Sequence, residues 1–275
     1  MPLADILNSI WGTLALVGLG FLLMGKAVYD RWPESQPTEL EAQERWRRQE
    51  TLDTYLNLMQ QWLEDKNSPL LKSGLGDQRR KLARTQTRWV LKRLDPNGKR
   101  DVLEFLWEHK LIKRNGSILH PIVRLSHADL SNAHLANIAL YGSNLDGIDL
   151  SDADLSGATL CWFASVDNNP DLLWPMEPTR LSNAYLIGAV LRGTTLAGCY
   201  LVGADFNGAV LDGADLSCAD LQEACNLTQE QINRAFGTYQ QNRLPDTKLP
   251  DHLEVPEAWK KLLSQQIAEK EASSN

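Results

Sequence analysis

The sequence predicts an α+β protein in which a β-helical rod follows a small helical region and an apolar N-terminal helix. Three observations predict this arrangement. Residues 6–25 contain no charged side chain. The next segment combines helical apolar spacing with an excess of basic residues. From residue 123 onward an apolar residue returns at every fifth position, and neither an α-helix nor a flat strand presents a period of five on one side.

The charge of the 275-residue chain is divided between its two halves. Its formal net charge is −7, but residues 72–114 contain 13 basic and 5 acidic residues, whereas residues 125–226 contain 2 basic and 13 acidic residues. One part can therefore attract anionic surfaces that the other part repels. The four cysteines have no CxxC spacing, which favours unpaired, reduced residues and indicates neither a zinc site nor a disulfide framework.

Residues 1–32 are predicted to be a transmembrane anchor. Twenty uncharged residues span about 30 Å as a helix, the thickness of the hydrocarbon layer. A cleaved signal peptide is disfavoured, because no basic side chain precedes the apolar run and no small-residue cleavage site follows it. Lys26 and Arg31 follow the run and only Asp5 precedes it, so the C-terminal bulk is expected in the cytoplasm.

Residues 33–117 are predicted to be a basic helical region. Three helices are expected at 38–66, 77–94 and 99–112, with a turn at 95–98. Thr38 and Glu41 are predicted to form a capping box at the start of the first helix, and Asp77 is predicted to cap the second. The predicted apolar stripe of the second helix is Leu82, Trp89, Val90 and Leu94.

The same second helix carries three arginines at four-residue spacing. Arg80, Arg84 and Arg88 are expected on one face, where they could bind anionic lipid headgroups. Nucleic acid is a less favoured ligand. A simple solvated helix face is the alternative that this pattern leaves open.

Residues 118–226 are predicted to be the rod. Leucine occupies every fifth position from 125 to 160, and an apolar residue, mostly leucine, does so from 181 to 221. A small residue usually stands two positions earlier. A chain that turns a corner once per unit can point both residues inward, and the glycines that often follow the leucine by two ease such corners.

The units "ADLSN" at 128–132, "ADLSG" at 153–157, "ADFNG" at 204–208 and "ADLSC" at 214–218 resemble the pentapeptide-repeat family, whose motif is A(D/N)LXX. The resemblance implies a right-handed quadrilateral β-helix with four units per coil. The order of anchor, basic helices and repeats is similar to that of membrane-anchored cyanobacterial members, which implies a thylakoid or plasma membrane location.

Two segments depart from the repeat. An insertion at 161–178 interrupts it and carries Trp162, Phe163 and Trp174, which are expected either to pack back on the rod or to dock a partner. Residues 227–275 are predicted to be a helical cap and tail, beginning with a capping box formed by Thr228 and Gln231.

The sequence predicts a non-enzymatic role without cofactor or metal. Leucine and alanine fill the rod interior and leave no pocket there, and the aspartates before the leucines are expected to face water. The sequence contains no GxSxG, P-loop, HExxH or GxGxxG motif.

Two functions follow from these predictions. The first is a membrane-tethered scaffold or assembly protein that binds a protein partner, for example a membrane complex, through outward apolar residues of the rod: Tyr185, Ile187, Val190, Tyr200, Val202 and Val210. The alternative is implied by the resemblance, since some members of that family present an acidic rod to a DNA-binding enzyme such as gyrase. Direct binding of nucleic acid to the acidic rod is not expected.

Overall fold

The computed structural model describes residues 38–66, 69–113, 121–166, 169–176, 178–238 and 246–260, with the backbone alone at 162–166 and 169–176. The chain divides into two units, residues 1–46 and 47–275. In the described part of the chain no helix is long and apolar enough to cross a membrane. The predicted anchor at 1–32 lies outside the described residues.

Three α-helices precede the rod. Helix α1 spans Glu39–Glu64 and α2 spans Gln78–Leu91, with a short 3-10 turn at Leu70–Lys72 between them. The backbone N–H of Thr38 donates to Glu41 Oε2, and the N–H of Glu41 donates to Thr38 Oγ1. Asp77 caps α2 by accepting the N–H of Arg79 at 2.8 Å. Both N-terminal caps are those the sequence predicts.

Helix α3 begins earlier than expected. It spans Pro96–Glu108, so the predicted turn at 95–98 was wrong. Asp95 caps the helix by accepting the N–H of Gly98 at 2.8 Å, and proline suits the first helical position because its missing N–H would have no partner there. The helix also ends earlier than residue 112, at Glu108, shortly before Lys110 takes φ 57°.

The buried face of α2 also differs from the predicted one. Leu82 and Trp89 are 43% and 46% exposed, whereas Val90 and Leu94 are buried as expected. The inward face consists of Arg80, Ala83, Thr87, Val90 and Leu91. A buried 2.8 Å hydrogen bond joins the hydroxyls of Tyr55 and Thr87. This polar contact between α1 and α2 turns Thr87 inward and leaves Trp89 outside.

The repeat forms a four-sided β-helix. Parallel bridges join residues 20 positions apart, as in Asp129 to Asp149 and Val190 to Val210, so four five-residue units complete one coil. Backbone hydrogen bonds link successive coils, for example from Leu130 N–H to the Asp149 carbonyl at 2.8 Å. Between Asn144 and Arg180 the spacing is 36, because the insertion lengthens that coil by 16 residues.

The corners of the coils are tight turns. The Ala133 N–H donates to the Leu130 carbonyl, and Asn132 between them has φ 58°. A positive φ at the third residue of a four-residue turn is typical of type II. The leucines of this path are almost fully buried, as are the alanines two places before them. The predicted inward positions are therefore confirmed.

The insertion leaves the rod as an antiparallel hairpin. Strand β1 spans Trp162–Val166 and β2 spans Asn169–Met176. Their register pairs Trp162 with Met176 and Ala164 with Trp174.

Non-repeat segments cover both ends of the rod. At the first coil, Arg100 Nη1 donates to the Ala136 carbonyl at 2.8 Å. At the last coil, Leu216 and Leu221 donate their N–H groups to the carbonyls of Phe236 and Lys248. Helix α4, Gln229–Asn233, begins with the predicted capping box of Thr228 and Gln231.

Candidate functional site

The outward residues of the rod form four parallel ladders, one per side. Within the repeat each ladder contains the residues immediately before the central apolar residues, and Cys225, Phe236 and Lys248 extend three of the ladders beyond these positions. The first side consists of Asp129, Asp149, Tyr185, Asp205 and Cys225, and the second consists of His134, Asp154, Val190 and Val210. The third consists of Ala139, Thr159, Thr195, Asp215 and Phe236, and the fourth consists of Asn144, Arg180, Tyr200, Asp220 and Lys248. Stacking at about 4.8 Å between neighbouring strands makes each side a continuous surface.

The predicted partner-binding residues of the rod lie in its third and fourth coils. We call this set the apolar band: Tyr185, Ile187, Val190, Tyr200, Val202 and Val210. Tyr185 and Tyr200 are 52% and 48% exposed, and the four aliphatic residues are partly buried. The structure places the band on the fourth, first and second sides, with Val202 and Ile187 at the two corners between them. The six residues therefore follow one path around three adjoining sides.

Polar residues border the apolar band. Tyr200 lies between Arg180 and Asp220 on the fourth side, and Tyr185 lies between Asp149 and Asp205 on the first. Arg180 Nε donates to Asp146 Oδ2 at 2.9 Å. Exposed aromatic rings with a polar rim are typical of protein-binding surfaces.

The aspartates of the repeat act in the turns. Oδ1 of Asp154 accepts the Ser156 N–H at 2.9 Å, and Asp149, Asp205 and Asp215 make the same contact to the residue two positions on. Hydrogen bonds from Ser156 lower the pKa of Asp154 from its usual value, against the opposing effect of partial burial. These carboxylates stabilise the corners by accepting backbone hydrogen bonds, so their spacing follows from the turn geometry.

No side of the described rod carries an unbroken row of carboxylates. Tyr185 interrupts the first side, and the second has one aspartate. Some carboxylates are also paired with cations: Lys99 Nζ lies 3.1 Å from Asp129, and Lys248 Nζ lies 2.7 Å from Asp220. This distribution does not favour the acidic DNA mimic.

The three predicted anionic-surface arginines bind the backbone of this protein. Arg80 is 4% exposed and donates to the carbonyls of Ser73 and Pro121 at 3.1 and 2.8 Å. Arg84 donates to Ile122 and Pro121, and Arg88 donates to Ser126. The arginines therefore attach α2 to the segment that enters the rod. Arg80 is buried, Arg84 is partly buried and Arg88 is exposed, so the three side chains do not share one open basic face.

The remaining predicted residues lie in the hairpin. Trp162 and Phe163 belong to β1 and Trp174 belongs to β2. Their side chains lie outside the described part of the structure, so their proposed docking role stays a prediction.

The outer side of α2 is a surface that the sequence reasoning missed. Leu82 and Trp89, seven residues apart, are both exposed, whereas the sequence predicts them in the apolar stripe of the helix. The buried positions Ala83, Thr87 and Val90 also share one face of a helical wheel, and their spacing could have shown that Leu82 and Trp89 point the other way.

In the described residues no group of three or more His, Cys, Asp or Glu side chains could hold a metal ion. The buried thiols belong to the rod packing: Cys199 Sγ lies 3.4 Å from the Leu160 carbonyl. Burial raises the pKa of Cys161 to about 12, which keeps this thiol protonated at neutral pH.

The family described as "Pentapeptide repeats" matches residues 123–160, 179–211 and 189–229, in eight copies. No curated protein sequence matches the chain.

Three solved structures are similar to part of this chain. QnrB1, a plasmid-mediated fluoroquinolone resistance protein, is 18% identical over 54% of this chain and 65% of its own, with a TM-score of 0.30. A pentapeptide repeat protein from the Arabidopsis thaliana thylakoid lumen is 23% identical over 40% of this chain and 71% of its own, with a TM-score of 0.21. Rfr23, a pentapeptide repeat protein from the cyanobacterium Cyanothece 51142, is 24% identical over 54% of this chain and 80% of its own, with a TM-score of 0.20. This chain therefore spans about 65% of the length of QnrB1.

Proposed function

We propose that this chain, whose residues 123–160 and 179–229 form pentapeptide repeats, is a membrane-tethered interaction protein that binds a protein partner through the apolar band. The observation that carries the proposal is the pair of half-exposed tyrosines, Tyr185 and Tyr200, on adjoining sides of the rod. Large aromatic side chains contribute a disproportionate share of the binding energy at protein interfaces.

The band suits a folded partner because its backbone is rigid. Hydrogen bonds to both neighbouring coils hold the strand segments at Tyr185 and Tyr200. The Tyr185 N–H donates to the Ile148 carbonyl of the preceding coil, and the adjacent Leu186 N–H donates to the Asp205 carbonyl of the following coil. Little backbone ordering is needed on binding, so more of the contact energy is available for affinity.

The tether belongs to the same proposal and rests on the sequence. The uncharged run at 6–25 would hold the chain in a thylakoid or plasma membrane, with its C-terminal bulk in the cytoplasm. A partner within a membrane complex would then meet the rod close to the bilayer. The hairpin at 162–176 would add a second contact if its aromatic residues face that partner.

The proposed role is that of a scaffold or assembly factor and needs no catalytic group. Between the two functions considered, the interrupted carboxylate rows favour a protein-binding band over mimicry of DNA, in which closely spaced negative charges would have to continue along the rod.

Site-specific photocrosslinking in the source cells tests this proposal. A benzophenone amino acid replaces Tyr200 in the full-length protein, and the matched control carries it at Thr195, on the third side of the rod. We expect a discrete light-dependent protein adduct from position 200 and none from position 195.

A second variant ties the adduct to the apolar band. Tyr185→Ala should reduce the adduct from position 200 by at least about tenfold, the effect of losing an interface aromatic worth roughly 2 kcal/mol. Equal adducts from positions 195 and 200, or no adduct from either, would refute the proposal.

A further inference from the structure

A second candidate surface lies on the outer side of α2. We define the outer face of α2 as Lys81, Leu82, Thr85, Trp89, Lys92 and Arg93. All six side chains are exposed. At 100° per residue Leu82, Thr85 and Trp89 lie along the middle of this face, and Lys81 borders one edge. Lys92 is the C-cap residue of α2 and Arg93 follows it, so both lie at the C-terminal end of the face.

The charges of this face are available to a ligand, unlike those of the inward arginines. Residues 71–93 contain eight basic residues and one acidic residue, Asp77. The Asp77 carboxylate accepts a backbone N–H of α2, whereas Arg80 and Arg84 are turned toward the rod. Arg79 pairs with Asp65, and Arg88 donates to the Ser126 carbonyl. Lys81, Lys92 and Arg93 supply the positive charge of the outer face; Arg93 Nη1 donates to the neutral Trp89 carbonyl at 3.2 Å, which does not cancel its charge.

Apolar and aromatic groups occupy the centre of the same face. Leu82 and Trp89 are close to half exposed, and the Arg93 guanidinium lies 4.0 Å from the centroid of the Trp89 ring. An indole ring favours the interface between headgroups and acyl chains, where its apolar body and polar N–H find different surroundings. Two further exposed leucines, Leu71 and Leu75, precede the helix.

The combination of exposed basic and apolar side chains favours a membrane surface over a nucleic acid as the anionic ligand. A nucleic acid backbone would pair with the basic residues but would leave the leucine without an apolar partner. At a bilayer surface, leucine and tryptophan enter the headgroup boundary while lysine and arginine reach the phosphates.

From these observations we infer that the outer face of α2 binds the surface of an anionic membrane, with the helix axis parallel to the bilayer plane. The contact is separate from the apolar band and does not depend on it. It replaces the lipid site expected at Arg80, Arg84 and Arg88 with a different side of the same helix.

The groove beside this face is not part of the inferred contact. It measures about 210 Å³ and lies between α1 and α2, where Trp89 forms one wall. Among the described residues that line it, Glu50 is the charged one. A carboxylate disfavours phosphate groups there, so the membrane is expected to contact the outer side of the helix.

A fluorescent label on the helix can report this contact in the full-length protein, even if residues 6–25 also insert. Thr85→Cys, in a Cys225→Ser background, is labelled with an environment-sensitive dye, and the same background without the new cysteine corrects for other thiols. Vesicles contain phosphatidylcholine alone or phosphatidylcholine mixed with phosphatidylglycerol. We expect a blue shift with the anionic vesicles only, and its reversal by salt because attraction between exposed charges is screened.

Charge-neutral variants test the residues involved. Lys81→Gln with Lys92→Gln should lower the ratio of shifted to unshifted label by about 25-fold, since the attraction of each basic residue to an anionic surface is worth about fivefold. The matched control, Lys66→Gln with Arg192→Gln, removes the same charge elsewhere and should leave the ratio unchanged. All four positions are exposed, so folding is not at risk, and circular dichroism checks it.

Three outcomes would overturn the inference. The first is no shift with anionic vesicles. The second is an equal shift with phosphatidylcholine alone, which would show apolar contact without charge recognition. The third is a shift with duplex DNA or polyglutamate and none with vesicles, which would assign the face to a nucleic acid or an acidic protein.

Discussion

Arg80 shows how one residue can carry a different role from the one its spacing suggests. In sequence it belongs to a row of arginines four residues apart, which is typical of an exposed basic stripe. In the structure its guanidinium is buried and bonded to the carbonyls of Ser73 and Pro121. Desolvation on burial and the nearby charge of Arg124 lower the pKa of Arg80 from its usual value. The guanidinium donates the hydrogen bonds that the Ser73 and Pro121 carbonyls accept.

We predict that Arg80→Met destabilises the protein by about 2–3 kcal/mol, because the Pro121 carbonyl loses a charged donor inside the structure. The neighbouring change Lys81→Met should alter the free energy of unfolding by less than about 0.5 kcal/mol, since Lys81 is exposed. Urea titrations followed by circular dichroism measure both. Equal small effects would mean that the Arg80 contacts contribute little to stability.

The five-residue unit is the element that builds the rod, and its corner sets the backbone requirement. Residues two positions after the central leucine have positive φ along the repeat, including Asn132, Asn183 and Gly193. Glycine and asparagine recur there because a side chain with a β-carbon costs about 1–2 kcal/mol in this conformation, and asparagine tolerates it better than most residues. The preference is therefore a property of the turn and carries no information about a partner.

Gly193 isolates this backbone effect, because a β-carbon placed there meets no atom within 4 Å while φ is 61°. We predict that Gly193→Ala destabilises the protein by about 1–2 kcal/mol and that Gly193→Asn costs less. Thermal and urea unfolding of the two variants provide the measurement. An alanine variant as stable as the asparagine variant would contradict the backbone explanation.

At the scale of the whole molecule, stability depends on how the rod ends. A solenoid end exposes unpaired N–H and C=O groups that can pair with another chain. In this protein α3 covers the first coil, and the segments at Phe236 and Lys248 continue the last one. Trp259 secures the C-terminal cover: its ring is 1% exposed and its Nε1 donates to the Ala235 carbonyl at 2.9 Å.

We predict that Trp259→Ala costs about 3–5 kcal/mol and promotes self-association, because loss of the cover exposes the last coil. The control Trp89→Ala removes an exposed ring and should leave the free energy of unfolding nearly unchanged. Urea titration gives the first effect, and size-exclusion chromatography at several protein concentrations gives the second. A monomeric, fully stable Trp259→Ala variant would show that the end needs no such cover.

The sequence by itself determined the inward leucines of the rod and the outward positions of Tyr185 and Tyr200. This was possible because a strict five-residue period fixes which positions of each unit point inward and which point outward. Each unit also contacts only its neighbours along the chain and in the adjacent coils. The sequence also located the caps of α1, α2 and α4, since these motifs are local. The four units per coil were implied by the resemblance to the pentapeptide-repeat family, and the 20-residue spacing of the parallel bridges confirms them.

Tertiary structure decided the rotation of α2 and the role of its arginines. The helix has exposed apolar residues on one side and buried polar residues on the other, so hydrophobic spacing alone selects the wrong face. The Tyr55–Thr87 hydrogen bond and the carbonyls of residues 121–126 come from segments distant in sequence. Only their meeting in the folded chain turns Arg80 inward and leaves Leu82 and Trp89 at the surface.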